Sequence, residues 1–242
     1  MCHDCGCGSE KESRVVELHQ RILEKNDLEA THNRQVLSRM GIIGLNLMSS
    51  PGSGKTSLIE KTIDTLGGGL RIAVIEGDLE TDRDAERIRR KGIPVHQITT
   101  GQTCHLDALM LHEAFHHIPL SDVDILFVEN VGNLVCPAVY DIGTHVNVVL
   151  LSTTEGDDKP AKYPTVFRNS DMMLLTKIDL LPHSDFNTRR AKSDALAINP
   201  NLQILELSST TGSGFDSWIE MLYQLHSERE AFVTLRPAVS RE

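Results

Sequence analysis

The stretch Ser49-Ser50-Pro51-Gly52-Ser53-Gly54-Lys55-Thr56 decides the fold of this chain. It follows an apolar run at residues 42–48, which predicts a buried strand, and it precedes residues 57–63, which predict a helix. A glycine-rich turn between a strand and a helix is typical of a P-loop, in which backbone N–H groups converge on phosphate oxygens. The stretch therefore predicts a nucleotide-phosphate site, although Ser49 stands where the pattern usually has its first glycine.

Two side chains of this stretch carry the predicted chemistry. Lys55 is expected to reach the β- and γ-phosphates of the nucleotide, and the Thr56 hydroxyl is expected to hold Mg²⁺. A chance Gly-Lys-Thr on a surface turn is the alternative at this point. Further phosphate contacts are predicted from the loop and the first helical turn, at Gly52, Ser53, Gly54 and Ser57.

Length and composition limit the possible functions. The 242 residues, 40% of them hydrophobic, are enough for one large α/β core or for one domain with an appendage. A net charge of −10 without a basic stripe argues against nucleic acid as a partner. No apolar run reaches the roughly 18 residues of a membrane span, and residues 1–4 begin no signal peptide. We therefore expect a cytoplasmic protein that binds no membrane, whose five cysteines serve metal or thiol chemistry.

Apolar runs and amphipathic segments alternate through the rest of the chain. Runs without polar alternation indicate strands buried on both faces, and hence an α/β fold with a mostly parallel sheet flanked by helices. Residues 10–40 predict a helical arm that packs on the main domain, with Asn26-Asp27 as a point where the helix can break in two. We predict a cysteine-rich metal-binding tail and helical arm (1–40), a P-loop domain (41–232) and a C-terminal tail (233–242). Strands are predicted at 42–48, 71–76, 93–98, 124–129, 147–151, 172–175 and 203–207, and helices at 57–63, 85–91, 106–118, 189–198 and 215–227.

Acidic residues follow two of these strands, at the edge where parallel sheets bind ligands. Asp78 comes after the strand at 71–76 and is a candidate Mg²⁺ or water contact, because hard oxygen ligands suit Mg²⁺. The alternative is an acid placed to favour a helix N-terminus. Glu129 ends the strand at 124–129 in the Walker-B position, where it either holds Mg²⁺ or only caps the strand. Gly132 would let a nearby loop approach the γ-phosphate.

Thr176-Lys177-Ile178-Asp179 follows a later strand and is similar to the guanine-reading element Asn-Lys-x-Asp of GTPases. The Asp179 carboxylate would accept from the guanine N1–H and N2–H groups, and the Lys177 stem would cover the base. Adenine presents the wrong donors there, and an unpaired buried carboxylate rejects ATP by a factor on the order of 10⁴. Thr176 replaces the usual asparagine. Ser208 and Ser209, after the last strand, are expected to supply further contacts to the base.

The first predicted metal site lies in the terminal sequence Cys2-x-x-Cys5-Gly6-Cys7. Glycine lets the backbone curl, so the three sulfurs of Cys2, Cys5 and Cys7 can converge on one ion. Thiolates are soft ligands and suit nickel, copper(I) and zinc, with square-planar geometry favouring nickel(II). If Met1 is removed, the Cys2 amine is a fourth donor. The alternative is a tail whose thiols only oxidise.

Cys104, His105 and Cys136 form the second candidate metal site. Cys104-His105 precedes a predicted helix, and Cys136 lies seven residues after Glu129 in the loop expected to sense the γ-phosphate. Three soft or borderline ligands suit Zn²⁺ or Ni²⁺ and leave one position for water or a second subunit. Two free cysteines with a capping histidine are the alternative. His112 and His116, roughly on the helical face of His105, are either auxiliary donors or ordinary polar residues.

The combination of motifs resembles the HypB family, the nickel-inserting GTPases of [NiFe]-hydrogenase maturation. The resemblance covers nearly the whole chain. The related urease GTPases carry Cys-Pro-His where this chain has Cys104-His105, so they fit less well. The segments that carry the resemblance are the terminal cysteine motif, the P-loop, Glu76-Gly77-Asp78, Thr100-Gly101-Gln102-Thr103-Cys104-His105-Leu106, the sequence from Glu129 to Pro137, and Gly156-Asp157-Asp158-Lys159-Pro160.

The resemblance implies a fold, an activity and partners. It implies a GTP-dependent homodimer of the class that includes signal-recognition GTPases. It implies high-affinity nickel at the terminal cysteines and a nickel or zinc ion at Cys104, His105 and Cys136. It further implies a HypA-type accessory protein as partner and delivery of nickel to the large subunit of [NiFe]-hydrogenase. In the family, Lys159 is associated with nucleotide-dependent dimer contacts.

The shared segment of Glu129 and Cys136 predicts coupling between nucleotide and metal. GTP with Mg²⁺ would order this segment and hydrolysis would release it, so that metal affinity depends on the nucleotide. The sequence offers no obvious arginine finger or water-positioning glutamine, so intrinsic hydrolysis is expected to be slow. Two further hypotheses stay open: a nickel or zinc storage protein with a regulatory nucleotide site, and a small-molecule kinase of P-loop type.

Overall fold

Seven strands form one sheet in the order β3-β2-β4-β1-β5-β6-β7, and all neighbouring pairs are parallel. The computed structural model describes residues 7–78, 83–101 and 103–229, with side chains of the first helix from residue 20 onward. The strands are β1 Ile43–Ser49, β2 Ile72–Asp78, β3 Val95–Thr99, β4 Ile125–Glu129, β5 Val146–Ser152, β6 Met172–Thr176 and β7 Gln203–Glu206. All seven strands predicted from the sequence are confirmed, with shifts of one or two residues at their ends.

Helices cover both faces of the sheet. They are α1 Cys7–Arg39, α2 Lys55–Leu66, α3 Arg83–Arg89, α4 Ala108–Phe115, α5 Lys159–Lys162, α6 Pro164–Arg168, α7 Thr188–Ile198 and α8 Phe215–Ser227, with 3₁₀ turns at Cys136–Ala138 and Ile178–His183. The sequence did not predict α5, α6 or the 3₁₀ turns, because segments of three to six residues are too short to show a helical period. The predicted helix at 106–118 is shorter in the structure, since Asp107 caps it by accepting from the Met110 N–H at 2.8 Å.

The central strands are buried on both faces, which explains their continuous apolar sequences. Every residue of β1, β4 and β6 is buried. One face packs against α2 and α8, where the fully buried Trp218 donates its indole N–H to the Thr62 hydroxyl at 2.9 Å. Because all strands are parallel, their carboxyl ends meet at one edge, and the predicted site residues collect there.

The helical arm packs on the main domain, as predicted, but it does not break at Asn26-Asp27. One helix runs from Cys7 to Arg39. Asn26 does not interrupt it, because its side chain turns inward: Nδ2 donates to the Asp141 carbonyl at 2.7 Å, and Oδ1 accepts from the Ala108 N–H at 2.9 Å. Ile22 on this helix is 49% exposed, and the buried face of the helix is formed by Leu23, Asn26, Ala30, Asn33 and Leu37.

No helix in the described part of the chain is long and apolar enough to cross a membrane. The predicted tail at 233–242 and most of the cysteine motif lie outside the described residues. The domain boundaries therefore stay predictions.

Candidate nucleotide and metal site

The P-loop connects the end of β1 to the start of α2. Gly52 and Gly54 have φ angles of 75° and 100°. Side chains with a Cβ rarely adopt this left-handed conformation, so both positions need glycine, and α2 begins directly afterwards at Lys55. The loop thus presents backbone N–H groups and a helix N-terminus in one place, which is the arrangement that binds phosphate. Ser57, also predicted as a contact, accepts from the Arg87 guanidinium at 3.3 Å.

Lys55, Thr56 and Glu129 converge below the loop. The Lys55 ammonium donates to Ser49 Oγ at 3.1 Å and lies 3.9 Å from the Glu129 carboxylate, to which the Thr56 hydroxyl donates at 3.0 Å. Ser49, in place of the usual glycine, therefore provides a partner for the lysine. Burial raises the pKa of Glu129 to about 7 against the opposing charge of Lys55.

These residues fit a magnesium ion. The second carboxylate oxygen of Glu129, Oε2, is buried without a hydrogen-bond partner. Such an orphaned oxygen beside a hydroxyl is the hard donor set that Mg²⁺ prefers. Glu129 and Thr56, two of the Mg²⁺ ligands that the sequence predicts, are therefore placed together as a magnesium site needs.

Glu76, which sequence reasoning did not choose, is the acid that lies beside Glu129. The two residues are register partners on β2 and β4, and their carboxylates group with Asp84 within 4.8 Å. Burial, with the nearby Glu129, raises the pKa of Glu76 to about 8. Asp78, the predicted Mg²⁺ or water contact, ends β2 two residues later and is not in this group. Glu76 could have been found from the sequence, because it is a charged residue inside an apolar strand.

The predicted guanine-reading segment lies against the P-loop. The Thr176 hydroxyl donates to the Ser53 carbonyl at 2.7 Å, and the Lys177 ammonium donates to the Gly52 carbonyl at 2.7 Å. Lys177 has a φ of 58°, the only positive value for a non-glycine residue in the described chain. Asp179 has a buried Oδ1 without a partner, as expected of a carboxylate that awaits the donors of a base.

The two serines after β7 play different parts. Ser208 is fully buried, and its hydroxyl accepts from the backbone N–H groups of Thr210 and Thr211. It therefore holds the turn of the base loop, whereas Ser209 is only half-buried. Contact of Ser208 and Ser209 with the base stays a prediction. It would be made by the loop whose turn Ser208 holds.

Glu155 links the P-loop to Lys159, and sequence reasoning missed it. Its Oε1 accepts from the Ser53 hydroxyl at 2.7 Å, and its Oε2 lies 3.5 Å from the Lys159 ammonium. Lys159 also donates to Ser50 Oγ at 3.2 Å, so its charge sits at the phosphate loop. No motif marks Glu155, because only the folded chain brings the β5 loop to the P-loop.

Cys104, His105 and Cys136 come together as the sequence predicts. The two sulfurs are 2.9 Å apart, and the donor atoms of all three residues lie within 4.8 Å of one another. His105 stacks on Tyr140 with ring centroids 3.9 Å apart, and its Nδ1 is buried without a hydrogen-bond partner. Burial lowers the pKa of His105, which keeps the imidazole neutral for metal binding. The hydrogen bond with Cys104 raises the pKa of the Cys136 thiol.

The segment from Glu129 to Cys136 touches both sites. At its P-loop end, a Cβ on Gly132 would lie only 3.0 Å from Pro51 Cα. At its metal end, Asn133 Nδ2 donates to the Cys104 carbonyl at 3.3 Å, and Asn130 Oδ1 accepts from the Leu106 N–H at 3.2 Å. We call residues 129–136 the connecting segment. One short segment therefore contacts the phosphate loop and the thiol cluster.

The remaining predicted metal ligands, Cys2, Cys5 and Cys7, lie outside the described side chains. Their nickel site stays a prediction. His112, weighed as an auxiliary donor for His105, instead contacts Glu29 and Asn33 on α1.

The parallel sheet, the P-loop and the residues at its edge define a P-loop nucleotide-binding protein. Residues 44–206 match the CobW/HypB/UreG nucleotide-binding domain. The chain is 50% identical to hydrogenase maturation factor HypB of Rhizobium leguminosarum bv. viciae over 87% of this chain and 71% of that one. It is 46% identical to HypB of Escherichia coli K12 over 86% of this chain and 72% of that one. The chain belongs to the HypB family of hydrogenase maturation factors.

Solved structures agree with this assignment. HypB from Helicobacter pylori in complex with nickel is 40% identical and superposes with a TM-score of 0.82 over 88% of this chain and 99% of its own. HypB from Archaeoglobus fulgidus is 41% identical with a TM-score of 0.79 over 84% of this chain and 100% of its own. FlhF complexed with GTP and Mg²⁺, at 18% identity and a TM-score of 0.51 over 78% of this chain and 81% of its own, shares the fold alone.

Proposed function

We propose that this protein is a GTP-hydrolysing nickel metallochaperone that delivers Ni(II) for insertion into the large subunit of [NiFe]-hydrogenase. Membership of the HypB family and the nickel complex of the Helicobacter pylori relative support this proposal. The observation that carries it is the connecting segment, which has Glu129 beside the P-loop at one end and Cys136 beside Cys104 at the other.

In this proposal GTP is the substrate, and the residues at the carboxyl ends of the strands each have one role. The P-loop N–H groups and Lys55 bind the phosphates. Asp179 and the Lys177 stem select guanine, since an adenine would leave the Asp179 carboxylate unpaired. Thr56 and Glu129 would hold Mg²⁺, with Asp78 as a further candidate ligand, and this ion supplies charge neutralisation at the phosphates.

The metal cargo binds at the thiol cluster. Cys104, His105 and Cys136 hold Ni(II) or Zn(II), and the terminal cysteines Cys2, Cys5 and Cys7 form a tighter nickel site. A rearrangement of the connecting segment on GTP hydrolysis moves Cys136 relative to Cys104, which changes the affinity of the cluster. Intrinsic turnover is slow, because no arginine finger is provided within the described site.

Membership of the HypB family supports the partners that we propose. We propose a GTP-dependent homodimer in which Lys159, already at the phosphate loop through Ser50, contacts the second subunit. A HypA-type accessory protein exchanges nickel with this chain, and the hydrogenase large subunit is the final acceptor. A cytoplasmic location stays a prediction from the sequence.

The test is a nickel-transfer assay with the purified apo large subunit, the HypA-type protein and this chain loaded with nickel. We expect transfer with GTP, none with a non-hydrolysable GTP analogue, and none with Lys55→Ala in place of the wild type. Transfer that is independent of nucleotide and of Lys55 would instead indicate a storage protein. A preference for ATP over GTP in a binding competition would indicate a kinase.

A further inference from the structure

A second cluster of metal-binding side chains lies between α1 and α4, away from the nucleotide and thiol sites. Glu29 and His32 come from α1, and His112 comes from α4. One donor atom of each residue lies within 4.8 Å of the donor atoms of the other two. The Glu29 Oε1 atom is at the centre, 3.3 Å from His32 Nδ1 and 3.5 Å from His112 Nδ1.

The spacing of these residues favours shared ligation. Glu29 and His32 are separated by three positions, so they project from one face of α1. Paired Glu-x-x-His motifs on facing helices are used in this way by metal sites inside helical bundles. On α4, His112 is followed four positions later by His116, the spacing of the helical zinc ligands in His-x-x-x-His. The ring centroids of His112 and His116 are 5.4 Å apart, which makes His116 a candidate fourth ligand although its donor atoms are not in the group of three.

The buried residue Asn33 fixes the tautomer of His112. Asn33 Nδ2 donates to the carbonyls of Ala108 and Ile142 at 2.7 and 3.1 Å, so its Oδ1 faces His112 as an acceptor. His112 Nδ1 lies 3.1 Å from this oxygen and must therefore carry the hydrogen. The lone pair is then on Nε2, so a metal would bind at Nε2 and not at Nδ1, the atom that lies 3.5 Å from Glu29 Oε1. Histidine ligands of metals typically have such a partner behind the ring, which orients it and fixes the tautomer.

The cluster is open to solvent on one side. The side chains of His32, Glu29 and His112 are 50%, 31% and 26% exposed, so an ion can enter without opening the core. Because His32 is half exposed and Glu29 partly so, we infer that rotation of these two side chains toward His112 Nε2 would bring the three donors to zinc or nickel bond lengths of about 2.1 Å. An ordinary ion pair between Glu29 and protonated histidines is the competing explanation, but the Nδ1 hydrogen of His112 is already used by Asn33 at the shorter distance.

We propose that Glu29, His32 and His112 form a metal site for a borderline divalent ion, Zn²⁺ or Ni²⁺, with His116 or water as the fourth ligand. Two imidazoles and a carboxylate suit these ions and contain no thiolate. The site joins the N-terminal arm to α4, the helix that follows the Cys104-His105 loop, so a bound ion braces the arm against the main domain. It does not depend on the nucleotide or on the thiol cluster.

Zinc titration of a full-length variant with serine at all five cysteines tests the proposal, because the thiol sites are then removed. We expect one remaining Zn²⁺ per chain, and a rise in melting temperature on zinc addition. His32→Ala in this background should lower the affinity at least tenfold. His117→Ala is the matched control, since its ring stacks on His96 at 5.0 Å instead, and it should have no effect. Absence of zinc binding in this folded background, or equal affinity of the His32→Ala variant, would overturn the proposal.

A measurement on the wild-type chain covers the case in which the cysteine-free variant does not fold. The thiol sites are first saturated with Zn²⁺, and further Zn²⁺ is followed by NMR of the imidazole nitrogens. The signals of His32 and His112 should move together at one equivalent, with those of His96 and His117 unchanged. Shifts spread over all exposed histidines would mean only weak surface binding and would refute the site.

Discussion

Gly132 lies directly against Pro51, so closely that a methyl group on Gly132 would be 3.0 Å from both Cα and Cγ of Pro51. The contact joins the connecting segment to the phosphate loop at the position where the γ-phosphate is expected. The backbone of Gly132 is not in the left-handed region, so its conformation does not require glycine. Glycine is required because Pro51 leaves no space for a Cβ. In the proposed function, this contact is where a movement of the phosphate loop would reach the segment that ends at Cys136.

Replacement of Gly132 by alanine should disturb the P-loop. The added methyl group meets backbone atoms of Pro51, and overpacking of this kind costs about 1–3 kcal/mol. We expect GDP affinity, measured by calorimetry, to fall about tenfold, equivalent to about 1.4 kcal/mol. Gly156→Ala is the control, since its methyl group would meet only the carboxylate end of Asp158, a flexible side chain. Unchanged GDP affinity in Gly132→Ala would show that the contact is not rigid.

Glu129→Gln should separate stability from catalysis. Burial raises the pKa of Glu129 to about 7 even beside Lys55, so its ionisation lowers the stability of the nucleotide-free protein at pH 8. The neutral amide removes this cost but leaves the buried Lys55 ammonium without its carboxylate partner, which lowers stability. We expect the two effects nearly to cancel, so that the free energy of unfolding at pH 8, measured in urea, changes by no more than about 1 kcal/mol. Magnesium-dependent GTP hydrolysis should fall by at least about tenfold, as the neutral amide binds Mg²⁺ poorly. A large loss of stability with full hydrolysis would contradict both assignments.

Asp179→Asn should change base selection. The buried Oδ1 of Asp179 has no partner in the protein, and guanine donors would fill this position. Loss of a charged acceptor for two N–H groups should weaken GTP binding by about 10²–10⁴-fold. Xanthosine triphosphate, which offers a carbonyl where guanine has an amino group, should gain affinity in competition with a fluorescent nucleotide. Equal GTP affinity of wild type and variant would exclude Asp179 from base recognition.

The ion pair of Asp124 with Arg71 should stabilise the fold in a pH-dependent way. The hydrogen bond from the Arg71 side chain lowers the pKa of Asp124 to about 2, against an ordinary value of 3.8. A depressed carboxyl pKa contributes stability above the unfolded value, and this contribution is lost as pH falls through 3.8 toward 2. Asp124→Asn should therefore cost about 1 kcal/mol at pH 7 in urea unfolding and progressively less below pH 4, allowing for solvent screening. Asp122→Asn is the control. Asp122 also pairs with Arg71, but this ion pair is largely exposed, so the substitution should change the free energy of unfolding little.

The sequence predicted the parts of this fold that depend on local pattern. Apolar runs located all seven strands, and the glycine spacing located the phosphate loop before α2. Because parallel strands end at one edge, the ends of β4 and β6 could be expected near the P-loop. The thiol cluster followed from the same reasoning, since Cys136 comes after β4.

Contacts that depend on the register between strands, or on the burial of a polar side chain, could not be predicted from the sequence. Glu76 lies beside Glu129 only because β2 pairs with β4, and Glu155 reaches Ser53 only through the loop after β5. Asn26 looked like a helix breaker, because its preference for turns is local, whereas its buried hydrogen bonds to α4 and to Asp141 are not.

In the proposed function, nucleotide binding and metal binding are coupled through the connecting segment. Asn133 makes the link to the Cys104 carbonyl without being a predicted metal donor. In Asn133→Ala the three donors remain, but the hydrogen bond to the Cys104 carbonyl and the one that lowers the pKa of the Cys136 thiol are lost. This variant should keep metal binding and lose most of its dependence on the nucleotide.

The most direct test is a nickel titration of a chain with serine at Cys2, Cys5 and Cys7, so that the thiol cluster dominates the signal. The dissociation constant is measured with Mg²⁺–GDP and with Mg²⁺ and a non-hydrolysable GTP analogue. We expect the two constants to differ by at least about fivefold, the lower end of typical coupling between sites, and to become nearly equal in Asn133→Ala. Equal nickel affinity in the two nucleotide states of the parent chain would contradict the coupling.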